Sequence, residues 1–179
     1  MKKIVFVLSL LFAVAANAQT DKGWRSVGGT GNLTLDFKNK SHSFGLAPEM
    51  YWFVANNFAL GTDFGFGFYA QKPNDSTSFS GTNFYLTPGI RYYFGDTEKK
   101  LRPYAFGNGG FEWMASRSKI SGQSSNSTSS GFRGYAGMGL GWFFNENACF
   151  DTRLHVFDYT RNDIFFNPTF SIGIIAFFD

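Results

Sequence analysis

Large apolar side chains fall on every second position along most of this 179-residue chain. In the closing stretch NPTFSIGIIAFFD they run in steps of two from Phe170 to Phe178, and the other face begins with the small or polar residues Thr169, Ser171 and Gly173. A period of two is typical of a β-strand with one apolar face and one polar face. The pattern therefore predicts that the chain ends in such a strand.

The same alternation recurs along the chain and predicts eight strands. Each is long enough to cross a bilayer as a tilted strand, which takes roughly 9–11 residues. The segments are 25–37, 42–54, 58–70, 82–94, 101–114, 132–144, 148–158 and 164–178. Short connections, such as 55–57 and 145–147, alternate with two longer ones at 71–81 and 116–131, which we expect to be polar loops. The predicted fold class is all-β: an eight-stranded antiparallel up-and-down transmembrane barrel.

Alternation alone does not tell which face of a barrel meets water, because a soluble eight-stranded barrel places its apolar face inward. Two observations favour lipid on the apolar side. The polar face is rich in glycine, which suits the narrow interior of an eight-stranded barrel. The lysines beyond the first eighteen residues also avoid the strand cores, whereas a water-exposed sheet would carry them. Those lysines are Lys22, Lys38, Lys40, Lys72, Lys99, Lys100 and Lys119.

Aromatic residues gather where the predicted strands meet the short turns, in a chain that is 20% aromatic. Aromatic girdles lie at the two membrane–water interfaces of outer-membrane barrels. We therefore predict a membrane-interface belt made of Trp52, Phe58, Tyr92, Phe94, Trp142, Phe144 and Phe178.

The first eighteen residues have the features of a secretory signal peptide. Lys2 and Lys3 precede a short apolar run that closes on the small-x-small pattern ANA, so we predict cleavage before Gln19. The alternative is an uncleaved helical anchor. With cleavage, residues 1–18 are the signal peptide and residues 19–179 the barrel domain. Removal of two lysines lowers the formal charge of +3, so the basic balance does not point to nucleic acid.

Charged residues on the polar faces predict an ion network inside the barrel. The set is Glu49, Asp63, Arg91, Glu112, Arg133, Asp151 and Arg153. Glu49 and Asp63 are equidistant from the turn at Asn56, so we expect them to face each other with Arg91 or Arg153 between them. We expect Glu112 to pair with Arg133, and Gly139 to leave room for Arg153. The interpretation is a plugged lumen, and the alternative is a gated path for ions or small solutes.

Catalysis and cofactors receive no support from the residues. His42 and His155 do not have the spacing of metal ligands, and a Glu49/Asp63 acid–base dyad would lie inside a lumen too narrow for a bulky substrate. A single cysteine, Cys149, permits no internal disulfide. We expect neither an enzyme nor a bound metal or cofactor.

Taken together, residues 23–178 resemble the small outer-membrane barrels of the OmpA-transmembrane, OmpX and OmpW kind. The resemblance rests on the leader, the eight alternating strands, the short turns and the aromatic last strand. It implies an outer-membrane protein of a Gram-negative bacterium with a structural, envelope-integrity or surface-interaction role, or alternatively a narrow porin-like channel for small or apolar solutes. The implied partners are outer-membrane lipid and lipopolysaccharide, the barrel-assembly machinery through the strand 164–178, and an extracellular ligand at 71–81 and 116–131.

Overall fold

A computed structural model describes residues 20–36, 40–74, 76–97, 99–160, 163–165 and 169–179. The predicted signal peptide, residues 1–18, lies outside these ranges. The strands are β1 (Arg25–Asp36), β2 (Ser41–Ala55), β3 (Phe58–Asn74), β4 (Thr77–Tyr93), β5 (Leu101–Ile120), β6 (Gln123–Asn145), β7 (Ala148–Thr160), β8 (Asp163–Phe165) and β9 (Thr169–Phe178). No helix among the described residues is long and apolar enough to cross a membrane.

The strands form one closed antiparallel ring. Each of β1 to β6 pairs with the next, β6 pairs with β7, β7 pairs with β9, and β9 returns to β1. The closing pair runs from Arg25 opposite Phe178 to Gly31 opposite Ile172. From Arg25 to Gly31, closure gives the edge of β1 that faces away from β2 a hydrogen-bonding partner, which hydrocarbon could not supply. The predicted eight-stranded antiparallel barrel is confirmed.

The last predicted strand, 164–178, is described in two pieces, because residues 166–168 lie outside the described ranges. β8 pairs with β7 at its outer end, from Asp158 opposite Phe165 to Thr160 opposite Asp163. β9 begins at Thr169 and pairs with both β7 and β1. β8 and β9 therefore lie along the same edge of β7, and the ring has eight members.

The prediction of two long loops at 71–81 and 116–131 is wrong, because the neighbouring strands continue into both segments. β3 and β4 remain paired out to Asn74 opposite Thr77. β5 and β6 remain paired out to Ile120 opposite Gln123, across a turn in which Ser121 and Gly122 have φ of 49° and 87°. Two positive φ values are typical of a tight hairpin turn. At this end of the sheet most side chains on both faces of the hairpins are exposed or half-buried, so alternation disappears while the backbone ladder continues.

Side chains alternate across the wall as predicted. The outward positions carry exposed apolar groups such as Phe66, Ile90 and Trp142, with exposed fractions of 48%, 50% and 59%. The inward positions are mostly buried. From Phe58 to Phe68 the outward face of β3 extends about 34 Å along the strand, or about 25 Å in height at a tilt of about 40°. That height matches the apolar band of an outer-membrane barrel.

Gly110 and Gly107 lie on the same strand but face different sides of the wall. A Cβ built on Gly110 would lie 2.9 Å from Cα of Thr87 and closer still to the carbonyl oxygen of Leu86, whereas a Cβ on Gly107 would meet nothing within 4 Å. We predict that Gly110→Ala lowers the free energy of unfolding by about 1–3 kcal/mol, because backbone atoms must move. Gly107→Ala is the matched control and should change it little. Urea titration of the folded barrel measures both, and equal effects would contradict the assigned facing of β5.

Candidate functional site in the barrel lumen

The end of the lumen near the short turns is filled by aromatic rings. Phe53, Tyr93, Phe143 and Phe177 are each at most 5% exposed. Phe177 lies 5.2 Å from Phe143, 6.2 Å from Phe53 and 6.5 Å from Tyr93 between ring centroids. We call these four rings the aromatic floor. They share the inward side of their strands with the charged residues, and they pack against one another across the lumen.

Arg102 fastens the N-terminal segment beneath the aromatic floor. Its guanidinium donates hydrogen bonds to Oγ1 of Thr20 at 2.6 Å and to Oδ1 of Asn57 at 2.7 Å. It also lies 5.2 Å from the Tyr93 ring. Backbone bonds add to this, since Asn57 N–H donates to the Thr20 carbonyl and Gly23 N–H to that of Phe53. The start of the described chain is thereby held across the mouth of the barrel.

Glu49 lies at the centre of the lumen between two arginines. Its Oε2 accepts hydrogen bonds from Nη2 of Arg91 at 2.9 Å and pairs with Nη1 of Arg153 at 2.6 Å. Arg153 also lies 3.9 Å from Asp63, which is opposite Glu49 in the β2–β3 register. The arginine that lies between the two facing carboxylates is therefore Arg153. Arg91 pairs with Glu49, and its guanidinium also lies 4.2 Å from the Tyr51 ring. All four charged side chains are at most 4% exposed.

Asp151 completes this central ion network, which consists of Glu49, Asp63, Asp151, Arg91 and Arg153. Its carboxylate accepts from Nε of Arg153 and from the hydroxyl of Tyr104, each at 2.6 Å. The Tyr104 ring occupies the space beside Gly139. Gly139 does lie opposite Arg153 in the register, as expected. The prediction that the arginine fills the space beside Gly139 is wrong, because the Tyr104 ring occupies it.

Tyrosine hydroxyls make up for a missing cation in this network, which has three carboxylates and two guanidiniums. Asp63 accepts hydrogen bonds from Tyr51 at 3.0 Å and from Tyr135 at 2.7 Å. Asn108 donates in turn to the Tyr51 hydroxyl at 2.8 Å. A buried carboxylate needs hydrogen-bond donors or an ion-pair partner to be tolerated. These donors therefore let three acids and two bases share one low-dielectric space.

A second charged group lies nearer the outer end of the lumen. Nη1 of Arg133 donates to Oε1 of Glu112 at 3.0 Å, and its Nη2 lies 3.8 Å from Asp158. Asn83 donates to the same Glu112 oxygen at 3.0 Å, and the Arg133 guanidinium lies 4.3 Å from the Tyr85 ring. The structure thus brings Glu112 and Arg133 together as expected and adds Asp158. Arg133 is the most exposed of the seven proposed lumen residues that form ion pairs, at 22% of its side chain.

All seven charged residues proposed for the lumen form ion pairs inside the ring, five in the central ion network and two in the outer group. The residues missed by sequence reasoning are the neutral donors Tyr51, Tyr104, Tyr135 and Asn108 and the N-terminal fastening by Arg102. The tyrosines lie on the same face of their strands as the charges, so the alternation that marked Glu49 also marked Tyr51. No sequence signal pairs Arg102 with Thr20, because 82 residues separate them.

The seven aromatics proposed for the interface belt form an outward ring at the short-turn end of the barrel. Six are between 38% and 59% exposed, and Phe58 is partly buried. Tyr92 packs edge-on against Phe94 with centroids 5.2 Å apart. Their contact with the membrane interface stays a prediction. Within the described part of the chain, no group of three His, Cys, Asp or Glu residues could hold a metal ion.

Residues 4–173 match the sequence profile described as the outer membrane protein beta-barrel domain. The chain belongs to this outer-membrane β-barrel family. The family indicates that the apolar outer wall is the lipid-facing surface and that the chain resides in the outer membrane. A comparison with curated proteins found no match.

Solved structures of outer-membrane barrels share the fold. The N-terminal β-barrel domain of Pseudomonas aeruginosa OprF is 14% identical, with 88% of this chain and 98% of that chain covered at a TM-score of 0.52. Ail, the attachment invasion locus protein of Yersinia pestis, is 15% identical with 88% and 99% covered at 0.53. Pseudomonas aeruginosa OprG is 14% identical with 91% and 99% covered at 0.52. At these identities the likeness concerns the fold alone.

Removing one member of the central ion network should destabilise the barrel strongly. We predict that Glu49→Gln lowers the free energy of unfolding by about 3–5 kcal/mol, because two buried guanidiniums lose their shared carboxylate. Asp96→Asn is the control, since the Lys99–Asp96 pair is largely exposed and should contribute little. Urea titration in lipid vesicles measures both, and a loss below about 1 kcal/mol for Glu49→Gln would contradict a stabilising network.

Replacement of Arg102 should release the N-terminal segment without opening the ring. We predict that Arg102→Met raises the rate of tryptic cleavage after Lys22 about tenfold, because two charge-assisted hydrogen bonds to Thr20 and Asn57 are lost. Lys100→Met, an exposed residue beside the same strand end, is the control and should leave the rate unchanged. Mass spectrometry of the digests measures the rate. Equal cleavage in all three proteins would show that Arg102 does not hold the segment.

Proposed function

We propose that this protein is a closed outer-membrane barrel whose lumen is plugged and whose role is structural, either in envelope integrity or in surface interaction. The observation that carries the proposal is the filled lumen. The aromatic floor, the central ion network and the Glu112–Arg133 pair lie above one another along the barrel axis. Eight strands enclose an interior only wide enough for side chains, and here those side chains are large and bonded to each other.

The proposal includes the route to the membrane. A Gram-negative host, cleavage before Gln19 and recognition of the last strand by the barrel-assembly machinery are parts of it. Support comes from the family, from the ANA motif and from the C-terminal strand with its outward aromatic and aliphatic residues. The fastened position of Thr20, just after the proposed cleavage site, fits a mature chain that starts beneath the barrel mouth.

A surface-interaction role is supported by the outer ends of four strands. Residues 71–74, 77–83, 114–120 and 123–131 continue the sheet beyond the level at which outward residues are apolar. We call this four-stranded part the outer sheet. It is rich in serine, threonine and asparagine, and it presents these groups on a rigid ladder. Such a surface suits recognition of a polar partner better than loops of the same composition would.

The proposal includes the absence of catalysis. His155, the one histidine inside the lumen, lies between the rings of Phe106 and Tyr135 at 5.2 and 5.3 Å. Its Nε2 is 3.5 Å from the Ser171 hydroxyl, too long for an activated nucleophile. The carboxylates Glu49 and Asp63 are occupied by arginine and tyrosine donors and are closed to a bulky substrate. The side chains in the described part of the lumen therefore support a structural role, and we propose no catalytic role for them.

Conductance separates the plugged barrel from a narrow channel. In planar bilayers we predict no steady discrete openings for the native protein, because the buried side chains of the aromatic floor and the central ion network fill the lumen. Phe177→Ala combined with Arg91→Ala removes one member of the aromatic floor and one of the central ion network, and it should produce openings if the variant folds. Met138→Ala, on the outward face, is the control. Steady openings of the native protein that change in Arg91→Ala or Arg153→Ala would overturn the proposal in favour of the channel.

A further inference from the structure

The outward face of the outer sheet carries a polar groove directly beyond the aromatic wall. The groove has a volume of about 370 Å³, and its sides come from two cross-strand rows. One row joins Phe68, Thr82, Ala115 and Thr128, and the other joins Ser80, Arg117 and Asn126. The hydroxyl, amide and guanidinium groups of these rows are hydrogen-bonding groups of the kind that sugars and phosphates require.

The groove's height along the barrel follows from the register. Trp113 stacks near Phe84 with centroids 5.9 Å apart, and both rings point outward with 46% of their surface exposed. Arg117 is four residues further along β5 on the same face, so its Cα lies about 13 Å beyond Trp113 along the strand, or about 10 Å higher at a tilt of about 40°. In an embedded barrel that is the level of lipid head groups, above the hydrocarbon.

The charge of this surface has one sign. The segments 77–82 and 114–131 contain no aspartate or glutamate, but they contain Arg117 and Lys119. Both cationic side chains are exposed and share the outward side of β5 with Trp113. Lys119 is paired in the register with Ser78 and Ser124, one row beyond the groove. A cationic, hydroxyl-rich groove beside exposed aromatics is complementary to an anionic head group with acyl chains beneath it.

We propose that this groove binds the phosphorylated sugar head group of the outer-leaflet glycolipid, lipopolysaccharide. Arg117 contacts a phosphate, Ser80, Thr82, Asn126 and Thr128 hydrogen-bond to the sugar, and the acyl chains lie against Phe84 and Trp113. Lys119 adds to the positive potential from the next row. The proposal rests on the membrane location in the proposed function, and it gives the polar outer sheet a partner within the protein's own membrane.

The test uses the full chain, purified as a folded barrel in detergent, with rough lipopolysaccharide as the probe and native mass spectrometry as the readout. Arg117→Gln should weaken binding about tenfold, as expected for loss of a charge-assisted hydrogen bond to phosphate. Arg25→Gln is the matched control, because Arg25 is an exposed arginine on the outward face at the opposite end of the barrel. It should bind as the native protein does. Thr82→Trp fills the groove without changing charge and should also weaken binding.

Four results would overturn the proposal. The first is equal binding of the native protein and Arg117→Gln, and the second is equal binding of lipopolysaccharide before and after removal of its phosphates. The third is binding of a free sulfated oligosaccharide with no binding of lipopolysaccharide, which would assign the groove to a soluble polyanion. The fourth is a chain whose gel mobility does not change on boiling. That result would show no folded barrel and would remove the proposed function as well, whereas the first three leave it intact.

Discussion

The structure depends on one constraint, the absence of water in the hydrocarbon around the wall. Backbone N–H and C=O groups there have no partner outside the protein, so the sheet must close on itself. The pairing of β1 with β9 achieves this, since it joins the first and last strands of the ring. Closure with eight members also fixes a narrow interior, and the inward side chains must then fill that interior.

The need to fill this narrow interior explains why so many charged side chains are buried. Arg91, Arg153, Glu49 and Asp151 are at most 3% exposed, which would be costly for any of them alone. Each finds an oppositely charged partner within hydrogen-bond distance, and tyrosine hydroxyls serve the remaining carboxylate, Asp63. The aromatic floor seals the other end with rings in place of ions. The lumen is thus a core of mixed polar and apolar side chains. The largest apolar surface of the protein is the outer wall, which faces lipid.

The strength of the period-two pattern decided how much could be predicted. Where one face meets lipid and the other a packed lumen, as from Phe58 to Phe68, strand position and facing both followed from the sequence. The pairing of Glu49 with Asp63 followed as well, because a short turn fixes register. Prediction failed at 71–81 and 116–131, where both faces of the strands meet water and no hydrophobic contrast exists to reveal them.

The sequence by itself determined the closed barrel, its lipid-facing side and the set of charges inside it, because alternation records which side of each strand is apolar. Only the tertiary structure decided which side chains contact one another. That Arg153 serves three carboxylates, that Tyr104 takes the space beside Gly139, and that Arg102 fastens Thr20 all depend on distances across the lumen. Those distances are set by the ring as a whole, and no local pattern along one strand contains them.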